Sequence, residues 1–241
     1  MSKNQYLLLW LESPLQSWGE NSRYSRRETL NFPTKSGVYG LILCALGLPG
    51  AQVELLQRMS SFKLHVFGYK KSNDDISADF LLRDFHMVGS GYNISDPWEK
   101  YLIPKTFDEK KPVGGGAKLT YRFYIQNMAF ACILEMPSDF ELDIKSGFEN
   151  PRWPLFLGRK CCVPTDIIYR GFFEDYFQAL TRAEEIARSK NRIKSIEVFE
   201  GIIEDCDGDI ITLNDVPVEF GQCKKYKERN VTVHRVIETC V

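Results

Sequence analysis

Lys35 and Ser36 open an apolar run, and Arg26 and Arg27 lie just ahead of them on a long polar connection. This combination suits phosphate. The run Ser36 to Leu46 reads as a helix, with Thr34 as its N-cap and Pro33 ending the extended segment before it. Unpaired backbone N–H groups at a helix start attract anions, and Lys35 and Ser36 add donors there. Arginine forks bind phosphate bidentately, which favours Arg26 and Arg27 over lysines in the same role. Upstream, Ser13-Pro14-Leu15-Gln16-Ser17-Trp18-Gly19 follows a buried-strand pattern, Tyr6 to Leu11. Gln16 and Ser17 can read sugar or base edges from that loop. Trp18 can stack on a base, although a tryptophan beside a strand end is more often core.

The remaining chemistry is sparse. His65 and His234 sit in alternating strand patterns and read as structural, His65 as a satisfied core histidine. His86 lies beside Arg83 at the start of an unusual segment, and contact with a base or phosphate is its favoured role. A metal-independent ribonuclease needs a general base near a 2′-hydroxyl and cations for the developing charge, and His86, Tyr24 and Lys35 are the residues able to supply them. Gly114-Gly115-Gly116 is no P-loop, because Lys35-Ser36 follows Pro33-Thr34 rather than glycine. Asp205-x-Asp207-x-Asp209 lacks the glycine of a calcium loop, since Ile210 stands there. The seven cysteines form no Cys-x-x-Cys pair and read as reduced thiols. No catalytic residue, metal or cofactor is expected. Arg159-Lys160, taken alone, is a surface pair.

The elements that must position these residues are legible in outline. The chain has 241 residues, 44% of them hydrophobic and 26% charged, with a net charge of −1. That is ordinary for a globular protein with a real core. No apolar run approaches a membrane span and no signal peptide is visible, so a cytoplasmic protein without membrane contact is expected. Charge is blocked rather than mixed. Arg23, Arg26, Arg27 and Lys35 oppose only Glu28 between Asn21 and Gly40. Lys224, Lys225, Lys227, Arg229 and Arg235 oppose only Glu228 near the end. Ser195 to Glu219 holds eight acids and no lysine or arginine. A polyanion would need such local basic seats or neighbouring subunits.

Further strands are expected at Lys63 to Tyr69, Phe80 to Val88, Lys118 to Gln126 and Met128 to Met136, with late strands at Ile193 to Ile203, Asp209 to Val218 and Val231 to Ile237. Asp207-Gly208 suggests a hairpin turn joining the first two late strands. Pro137 to Asn150 is mixed. Gly171 to Asn191 contains an amphipathic helix with Phe173, Tyr176, Phe177, Leu180 and Ala187 on one side. Gly89 to Ala117, rich in glycine and proline between two extended runs, reads as an arm projecting from a hairpin. The order implies an α+β ferredoxin-like core in the first half and a smaller β-rich subdomain at the end. The expected division is 1–150, with the insertion 89–117, and 151–241.

Four segments in this order also resemble a known family. They are Ser13 to Gly19 followed by Phe32-Pro33-Thr34-Lys35-Ser36-Gly37; Gly116 to Arg122; Pro154 to Pro164; and Glu228 to Arg235. The chain resembles the CasD subunits of type I-E CRISPR Cascade, a branch of the RAMP superfamily, with Ser13 where that family carries glycine. The resemblance implies a ferredoxin-like (RRM-like) palm, a protruding β-hairpin thumb and a small β-rich C-terminal domain. It implies a non-catalytic RNA-binding subunit that grips the 5′ handle of the CRISPR RNA and caps the assembly in antiviral defence. Its partners would be the backbone subunit and the large subunit, with target DNA nearby. Carried onto this chain, the RNA-facing residues are Gln16, Ser17, Trp18, Arg27, Lys35 and Ser36, with Lys118, Arg122, Arg159 and Lys160 in support. The alternative is a metal-independent endoribonuclease processing repeat RNA, like the related type I-C proteins.

Overall fold

The computed structural model describes residues 4–19, 25–72, 80–88, 118–203 and 208–236. The expected arm, 89–117, lies outside the described residues, as does Tyr24. Strand β1 (Asn4–Glu12) is apolar at successive positions because both its faces are covered. Leu7, Leu9 and Leu11 face one core, and Leu8 and Trp10 face the other. Helix α1 (Lys35–Leu46) begins where Thr34 Oγ1 accepts from Gly37 N at 3.1 Å and ends at Gly47 in the left-handed conformation. Helix α2 (Val53–Met59) then leads into β4 (Leu64–Lys71).

From β4 the chain enters a hairpin, β5 (Leu81–Val88) and β6 (Lys118–Gln126), before returning as β7 (Ala129–Pro137). Helix α3 (Glu141–Glu149), in the stretch the sequence left mixed, and strand β8 (Tyr169–Phe173) follow. The four strands stand in the order β4-β7-β1-β8, every neighbouring pair antiparallel. With α1 and α3 as crossovers, this is the ferredoxin-like arrangement, and the β5–β6 hairpin is its insertion.

Helix α4 (Tyr176–Ser189) crosses the second face of the sheet. Its buried stripe is Ala179, Ala183, Ile186 and Ala187, small residues that let it sit close to the strands. Phe177, expected on the inner side, is 70% exposed. Strands β9 (Arg192–Glu200), β10 (Asp209–Glu219) and β11 (Lys225–Arg235) extend the same sheet to seven strands, in the order β10-β11-β9-β4-β7-β1-β8. The boundary expected at residue 150 therefore falls inside the ferredoxin-like unit, between α3 and β8, and β9 hydrogen-bonds directly to β4. Among the described residues β9 and β10 are not neighbours, and Asp207 of the expected turn lies outside those residues. Instead, β11 lies between the two strands and pairs with both.

Two corrections follow from burial. Lys35, expected at the surface, is 0% exposed. Its Nζ donates to Glu200 Oε1 at 2.7 Å and to the Ser60 carbonyl at 3.3 Å. Asp215 accepts from the Lys35 backbone N–H at 2.7 Å and from Arg229 Nε and Nη2 at 2.6 and 2.8 Å. Arg229 Nη1 reaches Glu200 Oε2 at 3.0 Å. Burial pulls the Lys35 pKa down against the pull of Glu200, while the two carboxylates hold the Arg229 pKa up despite its burial. His65 is not satisfied: its Nδ1 is buried without a partner, and its ring meets Tyr176 and Phe199 at 5.4 and 5.6 Å. Burial is the main cause of its pKa falling to about 4.

Asp215→Asn leaves the buried Arg229 short of one countercharge. We expect a loss of about 3 kcal/mol in unfolding free energy, measured by urea denaturation, and a loss under roughly 0.5 kcal/mol would show that the cluster does not hold the sheet. The unfolded chain protonates His65 near pH 6.5 and the folded chain only near 4. Stability from this residue is therefore present above pH 6.5 and lost as pH falls toward 4. His65→Phe should flatten the decline in melting temperature between those values, and an unchanged slope would rule out this source.

Candidate nucleic-acid interface

The loop after β1 is a scaffold. Strand β2 (Leu15–Gln16) pairs with the end of β6. Gln16 is fully buried; its Nε2 donates to the Leu11 and Met128 carbonyls at 3.1 and 2.9 Å, and its Oε1 accepts from Trp18 Nε1 at 3.1 Å. Ser17 is buried and its N–H donates to the Leu157 carbonyl at 3.1 Å. Trp18 lies against α1 so closely that a Cβ on Gly37 would come within 2.8 Å of its ring. Gln16, Ser17, Trp18 and Lys35 are thus largely interior groups, with Ser17 and Trp18 reaching the wall of a cleft beside α1.

The helix N-terminus expected to seat a phosphate is already occupied. Asp215 supplies the anion that the Lys35 N–H and the helix dipole favour. Both carboxylates come from the acid-rich stretch that contains no lysine or arginine, and Arg229 comes from the basic run after it. That blocked charge pattern was the available signal, but nothing local linked it to Lys35. Ser36 is half-buried and borders a cleft of about 430 Å³, together with Trp18, Gly40, Trp153, Lys224 and Tyr226.

Several outward cations lie on a second, small sheet. Strand β3 (Arg26–Arg27) pairs in parallel with β6, Arg26 beside Tyr121 and Arg27 beside Arg122. Arg26 is exposed, 5.3 Å from the centre of the Phe123 ring, and its guanidinium reaches Glu28 at 2.9 Å. On the hairpin, Arg83 lies 6.0 Å from the Tyr121 ring, and Phe85 and Tyr121 meet at 5.4 Å. Phe85 is 56% and Tyr121 41% exposed, with Met87 and Leu119 exposed beside them. Exposed aromatic rings with arginines on a strand face are the parts from which single-stranded nucleic acid sites are built: rings stack on unpaired bases and arginines meet the backbone. The sequence reading missed Arg83, Phe85 and Tyr121. Their alternation along β5 and β6 was the signal, and the hairpin register brings them together.

His86 stands half-exposed on β5 with its Nδ1 3.9 Å from Asp84. Arg122 is half-buried and opposite Asp84 in the register. Lys118 pairs with Val88 through the backbone. Arg159 is half-buried over the Tyr124 ring at 4.5 Å, and Lys160 beside it is exposed. The general base and cation of the ribonuclease reading are not brought together: Lys35 Nζ is enclosed with Glu200, while His86 is on the hairpin facing Asp84. Among the described residues, no cluster of histidine, cysteine or carboxylate could hold a metal ion, and no helix is long and apolar enough to cross a membrane.

The chain is 28% identical over 171 residues to the CRISPR system Cascade subunit CasD of Escherichia coli (strain K12), covering 69% of this chain and 70% of that one. Its fold matches a chain of a CRISPR RNA-guided surveillance complex with a TM-score of 0.68 at 23% identity, over 95% of this chain and 89% of the other. It also matches a crystal structure of a Cas protein with a TM-score of 0.58 at 22% identity, over 95% and 94% of the two chains. The family model described as CRISPR-associated protein (Cas5) matches residues 6–232, so that this chain, by nearly its whole length, belongs to the Cas5 family of CRISPR-associated proteins.

Proposed function

We propose that the chain is a non-catalytic subunit of a cytoplasmic Cascade-type surveillance complex in antiviral defence. It grips the 5′ handle of the CRISPR RNA and caps one end of the assembly. Its partners are that RNA, the backbone subunit and the large subunit, with target DNA passing nearby. The segment 89–117, inserted between β5 and β6, is assigned the contact with the backbone subunit.

The observation that supports this reading best is the exposed face of the small sheet, where Arg26 and Arg83 lie over Phe123 and Tyr121. Stacking rings beside arginines suit a single strand whose bases are splayed, as a handle outside any duplex is. Arg27, Arg122 and His86 alternate onto the opposite face of the same strands, so positive charge lies on both faces of the ladder. Lys35, Gln16, Ser17 and Trp18 act in this reading only by shaping the loop, and Ser36 borders the neighbouring cleft.

Joint replacement of Arg26 and Arg27 by alanine should weaken retention of repeat RNA and reduce the slope of log K against log salt by about 0.7 for each phosphate contact removed. An unchanged slope would place the RNA elsewhere. Purified protein incubated without metal should leave labelled repeat RNA intact. Specific cutting that vanishes in His86→Ala would instead establish the ribonuclease reading.

A further inference from the structure

Arg159 points its guanidinium at protein backbone. Nη1 donates to the Phe123 carbonyl at 3.0 Å and Nη2 to the Arg27 carbonyl at 2.9 Å, with the Tyr124 ring centre 4.5 Å from its Cζ. Phe123 belongs to β6 and Arg27 to β3. The two strands share a parallel ladder of only two residue pairs, preceded by the Tyr121 N–H donating to the Ser25 carbonyl at 2.7 Å. So short a pairing has little stability of its own. The Arg159 fork joins the strands where their ladder stops. Two donors held in one plane can span two carbonyls, whereas the point charge of a lysine cannot fix both.

The loop that presents the fork is itself fixed. Leu157 N–H donates to the Cys162 carbonyl and Cys162 N–H to the Arg159 carbonyl, both at 2.8 Å. Gly158 has a φ of 97°, and a Cβ there would lie 1.7 Å from the Ser17 carbonyl oxygen, so only glycine fits. The loop is thereby pressed onto the Gln16–Trp18 scaffold.

We propose that Arg159 is a positioning residue. It holds β3 against β6 so that Arg26 and Arg27 are presented to RNA, and it does not itself carry the RNA contact. This rests on the RNA-binding reading above and departs from the sequence expectation, which placed Arg159 among the RNA-facing residues.

A double-mutant cycle on the full chain tests it, with a fluorescent single-stranded RNA of the source genome's CRISPR repeat as the probe. Arg159→Gln should lower affinity roughly ten-fold, about 1.4 kcal/mol, and bring the salt slope down to that of the Arg26→Ala/Arg27→Ala variant. Arg159→Lys, which keeps the charge and loses the fork, should do the same and serves if the glutamine variant does not fold. In the Arg26→Ala/Arg27→Ala background, either Arg159 substitution should cost less than about two-fold, because the residues it positions are gone. A further ten-fold loss in that background would make Arg159 a direct RNA contact and overturn the proposal. So would full affinity of Arg159→Gln in the otherwise native chain. If Arg26→Ala/Arg27→Ala binds normally, the RNA contact at β3 fails, and the positioning role falls with it. Melting temperatures of all variants separate loss of fold from loss of binding, since a purely structural effect lowers the melting temperature without moving the salt slope.

Discussion

Two cations and two anions packed together, three of them buried and Glu200 half-buried, set the arrangement of this molecule. Lys35, Glu200, Asp215 and Arg229 belong to α1, β9, β10 and β11, and Glu200 also accepts from the Leu64 N–H at 2.8 Å, which fixes the start of β4. Each charge faces an opposite one, so the group is neutral as a whole. Such a cluster adds little net stability over apolar residues of equal volume, but removing one member leaves a charge with no partner. Its consequence is geometric: the C-terminal strands cannot separate from the ferredoxin-like unit without exposing the quartet. One continuous seven-stranded sheet results.

The far end of β1 carries a second clasp. Arg192 donates to the Asn127 carbonyl at 2.9 Å and to Glu12 at 2.8 Å, while Lys190 bridges Glu12 and Asp166 at 3.0 and 2.8 Å. Burial by itself raises the Glu12 pKa, but hydrogen bonds from Trp10, Arg192 and Lys190 outweigh it and hold the carboxyl below its ordinary value. Glu12 thus stabilises the fold above the usual carboxylate range and ceases to do so as pH falls through its lowered pKa. Between the two clasps runs the Gln16–Trp18 loop, secured to β6, to Met128 just before β7 and to the 157–158 turn. Residues whose types suggested recognition chemistry are needed there to satisfy one another, because polar groups enclosed in a fold must find partners.

What was legible in the sequence follows from range. Strand β1, the Thr34 cap, the Gly47 stop and the two long strands of the hairpin depend on neighbours within a few positions, and all were readable. Helix α3 was not, since its Gly147 and mixed polarity hide it, and Ile144 is its one fully buried residue. Strand β8 was missed because all five of its residues are half-buried and show no alternation. At the site, Arg26 and Arg27 were visible as a cationic pair. The burial of Lys35 was not, because its partners lie 165 and 180 positions away. The same distance converted a helix start that looked like an anion seat into an internal joint.

The occupied helix start bears on how this chain would hold RNA. With Asp215 already in place, a phosphate brought there would meet a carboxylate, so the strongest anion-attracting point of α1 contributes nothing to binding. On the proposed reading, contacts would come from the small sheet, where Arg26 has a carboxylate, Glu28, beside it and Arg122 lies opposite Asp84. Local charge is therefore modest, in keeping with a whole-chain charge of −1. If RNA binds as proposed, stacking on Phe85, Tyr121 and Phe123 would carry more of the interaction than in a strongly basic protein, and stacking is less weakened by salt than phosphate contact is. On the proposed reading, a chain with this balance would hold a single strand weakly on its own and firmly only once neighbouring subunits closed over the other side of the strand.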